Sequence, residues 1–193
     1  MTHISGISAG IFSCMSIHTP ASVLSASALA ALDTAAEFDA LFGAEIANIG
    51  GTKSTDTFIR LKNVREYPQI GTPANIVNVP VYGQSNSAQV QGQADSPDLS
   101  LTLNFVPSDF DPTAILGSMV GDGKVRVFRF SFLAAEPASY AATTAGIGSV
   151  NNSSYYWLGK VEALLSNPQL TDANQATLSL STQSKFYGAY TVT

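Results

Sequence analysis

The stretch Leu99-Ser100-Leu101-Thr102-Leu103-Asn104-Phe105 alternates apolar and polar side chains without a break. Successive side chains of a strand point to opposite faces, so this period of two predicts a half-buried β-strand. Val106-Pro107-Ser108-Asp109 then stops it. Asp111 followed by Pro112 reads as a helix start, an N-cap acceptor before a proline at the first helical position. Ile115, Leu116 and Met119 give that helix an apolar side, and Gly121-Asp122-Gly123 ends it with residues that tolerate positive φ. The reading is a short helix over about 111–119, capped by Asp109 and Asp111, where the helix dipole favours negative charge. The next strand follows over 124–132. Strand, short helix and strand carry no catalytic group, which points towards assembly rather than catalysis.

That second strand changes phase. Val125 and Val127 fall on one parity, Phe128, Phe130 and Phe132 on the other. A bulge near Val127-Phe128 would keep all five on one side. The alternative is a strand buried on both faces, with Arg126 and Arg129 directed at a partner.

Upstream, residues 1–20 lack periodicity and read as an extended arm. Leu24, Ala28, Ala31, Ala35, Phe38 and Phe42 recur at spacings of three and four, predicting an amphipathic helix over about 22–42 with Ser22 as N-cap and Gly43 as stop. The expected organisation is an arm and helix over 1–50, then a β domain over 51–193. Residues 57–64 read as a strand with Phe58, Arg60 and Lys62 on one side and Ile59 and Leu61 on the other. Residues 75–82 read as another, with Val77, Val79 and Val81 on one face. Pro80 lacks a backbone donor, which makes that strand an edge or a bulge. The sixteen residues 83–98 are almost wholly Gly, Gln, Ser, Asn, Ala and Asp. Loops that long are uncommon inside a domain, so this one is either a surface loop or a protruding hairpin. Residues 155–165 form an aromatic-rich strand, and 177–187 the last long strand, with Leu178, Leu180 and Phe186 in one parity.

Only 12% of the 193 residues are charged, against about 25% in ordinary soluble domains. A surface so poor in charge favours self-association. The net charge is −5, with no run of Lys or Arg, so little is available to neutralise phosphates. Lys53, Arg60, Lys62 and Arg65 form the densest basic stretch, read as a solvated strand face or as inter-subunit ion pairs. One cysteine, Cys14, excludes an internal disulfide and a zinc cluster. The histidines, His3 and His18, both fall in the arm, where no scaffold holds a catalytic base. Asp109 and Asp111 lack the remaining ligands of a calcium loop. No metal, cofactor or catalytic residue is expected. Ser25–Ala30 imitates a signal-peptidase site, but no Lys or Arg precedes it and Pro20 and His18 interrupt the apolar run. No stretch of about twenty uninterrupted apolar residues exists to span a membrane.

Several of these segments together resemble a family. Gly92-Gln93 before an acidic turn, the Leu99–Phe105 strand, the acidic-capped helix and the 125–132 strand are similar to the core of major tail tube proteins of long-tailed, lambda-type phages. Tyr156-Trp157-Leu158-Gly159-Lys160-Val161 and the Thr/Ser-alternating stretch over 170–187 continue the resemblance, which covers roughly 58–187. It implies a mainly β sandwich or barrel, hexameric rings stacked into a tube, and a conduit through which genomic DNA passes without tight binding. The implied partners are further copies of the chain, with tape measure, tail tip and terminator proteins. The implied place is the virion tail, assembled in the cytoplasm of an infected bacterium. At the position of Gln84, Asn86, Gln89, Gln91 and Gln93, such proteins carry a loop that reaches the next ring. Amides suit that role because they hydrogen-bond without a counter-ion. The competing reading is a secreted adhesin, pilin or carbohydrate-binding β-sandwich, with Tyr155-Tyr156-Trp157 stacking on sugar rings.

Overall fold

The alternation of Leu99-Ser100-Leu101-Thr102-Leu103-Asn104 becomes a strand whose three leucines are buried and whose partners face outward. It lies in a mainly β computed structural model describing residues 13–18, 24–42, 58–73, 75–83, 85–92, 97–111, 116–132 and 153–191. The strands are β1 (Cys14–His18), β2 (Phe58–Arg60), β3 (Val64–Glu66), β4 (Ile76–Val79), β5 (Ala88–Gln91), β6 (Leu99–Asn104), β7 (Arg126–Phe132), β8 (Ser153–Asn167), β9 (Gln175–Thr182) and β10 (Tyr187–Thr191). Eight of them form one antiparallel sheet in the order β2-β1-β7-β8-β9-β6-β3, with β10 paired to β8; β4 and β5 form a second sheet of two.

The order explains why the sheet curls. β2 and β3 are its two ends, yet only Leu61-Lys62-Asn63 separates them in the chain. The predicted single strand over 57–64 is therefore broken. Leu61 N–H still donates to Met15 O at 2.8 Å on the β1 side, and Asn63 O accepts from Asn104 N–H at 2.8 Å on the β6 side. Asn63 has φ of 57°, a left-handed conformation that asparagine tolerates better than most residues. One short segment thus bridges both ends of the sheet, and the rolled interior fills with Met15, Ile17, Ile59, Leu61, the β6 leucines, Phe128, Phe130, Trp157, Val161, Leu178 and Leu180. Trp157 stacks on Phe128 with centroids 5.6 Å apart and meets Phe186 at 5.2 Å.

Cys14–His18, expected to belong to an extended arm, is a central strand between β2 and β7. Its five residues are too short for a periodic signal to stand out, and Met15 and Ile17 alternate inward between Cys14, Ser16 and His18. The single helix expected over 22–42 is two: α1 (Ala26–Ala30) and α2 (Ala35–Phe42). Ser25 caps the first, its Oγ accepting from Ala28 N–H at 3.2 Å. Thr34 and Glu37 form a capping box for the second: Glu37 N–H donates to Thr34 Oγ1, and Glu37 Oε2 accepts from Thr34 N–H at 3.1 Å and Asp33 N–H at 3.0 Å. These donors hold the Glu37 carboxyl below its ordinary range, the Asp33 N–H first among them. The expected terminal residues Ser22 and Gly43 lie outside the described residues.

The predicted helix over 111–119 is replaced, where described, by two 3-10 turns, Pro107–Phe110 and Gly117–Met119. Asp109 sits within the first. Asp111 follows it in extended conformation, as a residue before proline prefers; residues 112–115 lie outside the described set. The phase change in β7 is resolved without a bulge. All seven β7–β8 pairs from Arg126↔Gly159 to Phe132↔Ser153 run in register, and the strand is buried on both faces. Phe128 and Phe130 face the rolled interior, while Val127 faces a second cluster with Leu29, Phe38 and Tyr156. The chain's own helices cover that second face. The last strand breaks after Thr182: β9 and β10 occupy the same edge of β8 in succession, pairing with 159–167 and 153–156.

Candidate assembly surface

Two surfaces distinguish this molecule: a polar layer hidden on the outside of the curl, and an apolar face left open on the two-stranded sheet. The hidden layer follows from register. Ser16 lies opposite Arg60 on β2 and Arg129 on β7, and Arg129 lies opposite Tyr156 on β8. Ser16, His18, Arg60, Arg129, Ser131 and Ser154 are all buried, with Ser131 and Ser154 sharing a 2.8 Å hydroxyl contact. Arg60 is therefore no solvated strand face. Burial lowers the His18 pKa to about 4 and keeps its imidazole neutral. Arg126, one candidate for a partner contact, forks onto Asp122 instead, at 2.9 and 2.6 Å; this guanidinium holds the Asp122 carboxyl below its usual value.

α2 closes the neighbouring part of that face. Phe38 is fully buried against Tyr156 and Tyr187, at centroid distances of 6.0 and 4.8 Å. Tyr156 Oη donates to Asp39 Oδ1 at 2.5 Å. Burial first, and this bond second, push the phenol above its ordinary value. Tyr156 and Trp157 are fully buried and Tyr155 is partly buried beside Phe132, so two of the three rings expected to stack on sugars are inaccessible.

The open surface is the β4–β5 hairpin. Its register pairs Val77 with Val90 and Val79 with Ala88 on one face, and Ile76 with Gln91 and Asn78 with Gln89 on the other. The predicted common face of Val77 and Val79 holds, and Ala88–Gln91, within the expected polar loop, is a strand. The two faces differ in kind, one aliphatic and one mostly amide. Every residue of both strands is exposed, Val77 at 48%, Val79 at 41% and Val90 at 53%. Tyr82, fully exposed, precedes Gly83, whose φ of 82° turns the chain back. Of the amides expected to contact another ring, Gln89 and Gln91 stand on the polar face and Asn86 in the exposed bend; Gln84 and Gln93 lie outside the described residues. The sequence showed the Val77 and Val79 half of the aliphatic face; the Ala88 and Val90 half, two residues apart in the polar stretch, was missed.

Among the described residues no three His, Cys, Asp or Glu side chains converge on a metal position. No described helix is long and apolar enough to cross a membrane.

No family model matches the sequence, and no curated protein does. Among solved structures, the chain is similar to a chain of the anti-feeding prophage baseplate, at 11% identity and a TM-score of 0.42 over 69% of this chain and 86% of that one. It is similar to an Hcp protein at 15% identity and a TM-score of 0.34, over 62% of this chain and 64% of the other. Similarity to the SPP1 tail tube is at 11% identity and a TM-score of 0.40, over 64% and 66% of the two chains.

Proposed function

We propose that this chain is the repeating structural subunit of a tube of the phage-tail class, built from stacked rings of itself. The observation that carries the reading is the β4–β5 hairpin: an aliphatic face held open to water on a molecule whose rolled core is already filled. A two-stranded hairpin is marginal alone in water, and an uncovered apolar face is a contact surface in waiting. The low charge of the chain supports the same reading, as does the resemblance of residues 58–187 to tail tube proteins of long-tailed phages.

On this reading the rings are hexameric and the tube is the conduit for genome ejection, in a virion tail assembled in the cytoplasm of an infected bacterium. Tape measure, tail tip and terminator proteins bound its length and ends. DNA passes without adhering because the subunit is net acidic and has no basic run. Like charge repels phosphate over a screening length of about 8 Å at physiological salt. Its role is structural rather than enzymatic, with no cofactor. The hairpin that carries Asn86, Gln89 and Gln91 reaches the adjoining ring.

Electron microscopy of concentrated purified protein tests this. Hollow filaments of uniform width are expected. A chain that stays monomeric at every concentration, and also when an assembled tail tip complex is supplied as initiator, overturns it.

A further inference from the structure

The β6–β9 register places Leu99 beside Leu180 at one end and Asn104 beside Gln175 at the other. The β4–β5 hairpin stems from the first end. Pro97 O, just beyond it, accepts from the Thr182 hydroxyl, and Thr72 Oγ1, just before it, accepts from Phe186 N–H at 3.5 Å. The β8–β9 turn stands at the second end, where Phe105 N–H donates to Asn174 O at 2.8 Å. That turn and the end of β8 before it carry the other conspicuous apolar exposure of the described residues: Leu170 is fully exposed and Leu165, on β8, is 60% exposed.

Around Leu165 the outer face of the sheet is uncharged. Cross-strand rows run Leu165–Thr177–Thr102 and Ala163–Ser179–Ser100 over β8, β9 and β6. Glu66, opposite Thr102 on β3, Glu162, whose carboxylate accepts from Ser181 Oγ, and the Arg65–Asp172 ion pair at the turn stand at its margins. A neutral centre with a charged rim is the anatomy of a protein contact.

We infer that this platform, with Leu165 and Leu170, receives the valine face of the β4–β5 hairpin of a second copy, stacked head to tail. The inference rests on the tube reading and adds the surface on which the hairpin lands. Two features select the occupant. Donor and receiver lie at opposite ends of the same strands, so one contact repeats indefinitely, as a heterologous interface does. The donor is also free of formal charge, residues 67–94 containing no Asp, Glu, Lys or Arg, and in the receiver's turn the Asp172 carboxylate is paired with Arg65 at 2.9 Å. A nucleic acid would find no cation on the hairpin, and beside the receiver Arg65 is already paired with Asp172. A charged partner would lose hydration with nothing to replace it, whereas the hairpin loses only apolar hydration.

Two single-end variants test the pairing. Val79→Asp spoils the donor and Leu165→Asp the receiver. Both positions are exposed, and melting curves matching the parent chain confirm folding; should either melt early, Val90→Asp or Leu170→Asp replaces it. Sedimentation velocity and electron microscopy are run on the parent, each variant and the equimolar mixture. The expected result is filaments from the parent, loss of filaments from each variant alone, and recovery in the mixture of a single contact, seen as paired particles that grow no further. The inference is overturned if Leu165→Asp and its Leu170→Asp counterpart form filaments like the parent, or if the mixture shows no pairing; the tube reading survives either outcome. A parent chain that never associates, with initiator or without, overturns both.

Discussion

The barrel and the β4–β5 hairpin are built from the same material, short valine- and leucine-bearing antiparallel strands, and have opposite fates. In the barrel, Leu101, Trp157 and Leu178 are wholly inaccessible. In the hairpin every side chain of both strands meets water. Burial of a Leu or Val side chain contributes about 1.5–3 kcal/mol, so the barrel holds itself and the hairpin does not. The difference teaches that alternation specifies a strand without saying what covers it. Where the chain leaves an aliphatic face open, that face is available to a partner.

Substitutions at the two regions should separate stability from association. Trp157→Ala removes the largest buried side chain, and its expected cost is about 3–5 kcal/mol, read as a large fall in the denaturation midpoint. A variant that melts like the parent would show the rolled interior to be looser than its packing. Gly159→Ala comes next. A Cβ there would lie 2.7 Å from Ser181 O and 3.1 Å from Phe128 Cε2, and because backbone has to shift, about 1–3 kcal/mol is expected. Tyr156→Phe deletes the bond to Asp39 that fastens α2; about 1.5 kcal/mol is expected, with faster hydrogen exchange in α2 than in the barrel.

Two pH effects follow from the hidden polar layer. His18 binds its proton less readily folded than unfolded, so the unfolded chain gains protons first as pH falls. Stability should be full above about pH 6.5, the ordinary histidine value, and decline towards pH 4; His18→Gln should flatten that slope in acid-denaturation curves. Tyr156 shifts the other way. Its raised pKa leaves stability intact below about pH 10, where unfolded tyrosine ionises, and lowers it above, an alkaline slope that Tyr156→Phe removes. The smallest effect belongs to the hairpin. Val77→Thr should change the stability of the isolated chain by less than about 0.5 kcal/mol while weakening self-association. If it destabilises the monomer as core substitutions do, the contrast between the two regions fails.

Strong local patterns were legible from the residues alone. The Leu99–Asn104 strand, the aromatic strand now seen as β8, and the shared face of Val77 and Val79 all appear where alternation predicts them. The division of the N-terminal helix was legible too, in Thr34-Ala35-Ala36-Glu37, a capping-box spacing that the helical stripe overrode. β1 was not, because five residues carry too little pattern and its Ser16 and His18 look exposed by type. Their burial depends on Arg60 and Arg129 arriving alongside from β2 and β7.

By itself, the sequence determined the class of the protein: mainly β, poor in charge, without a cysteine pair or basic run. These properties are sums over residues or patterns between near neighbours, and they need no coordinates. The tertiary structure alone decided that residues 58–66 join the two ends of one sheet, that β7 is covered on both faces by its own chain, and that the hairpin's valines are covered on neither. Those outcomes depend on which distant strands meet, and in what register, which hydrophobic spacing along the chain does not encode.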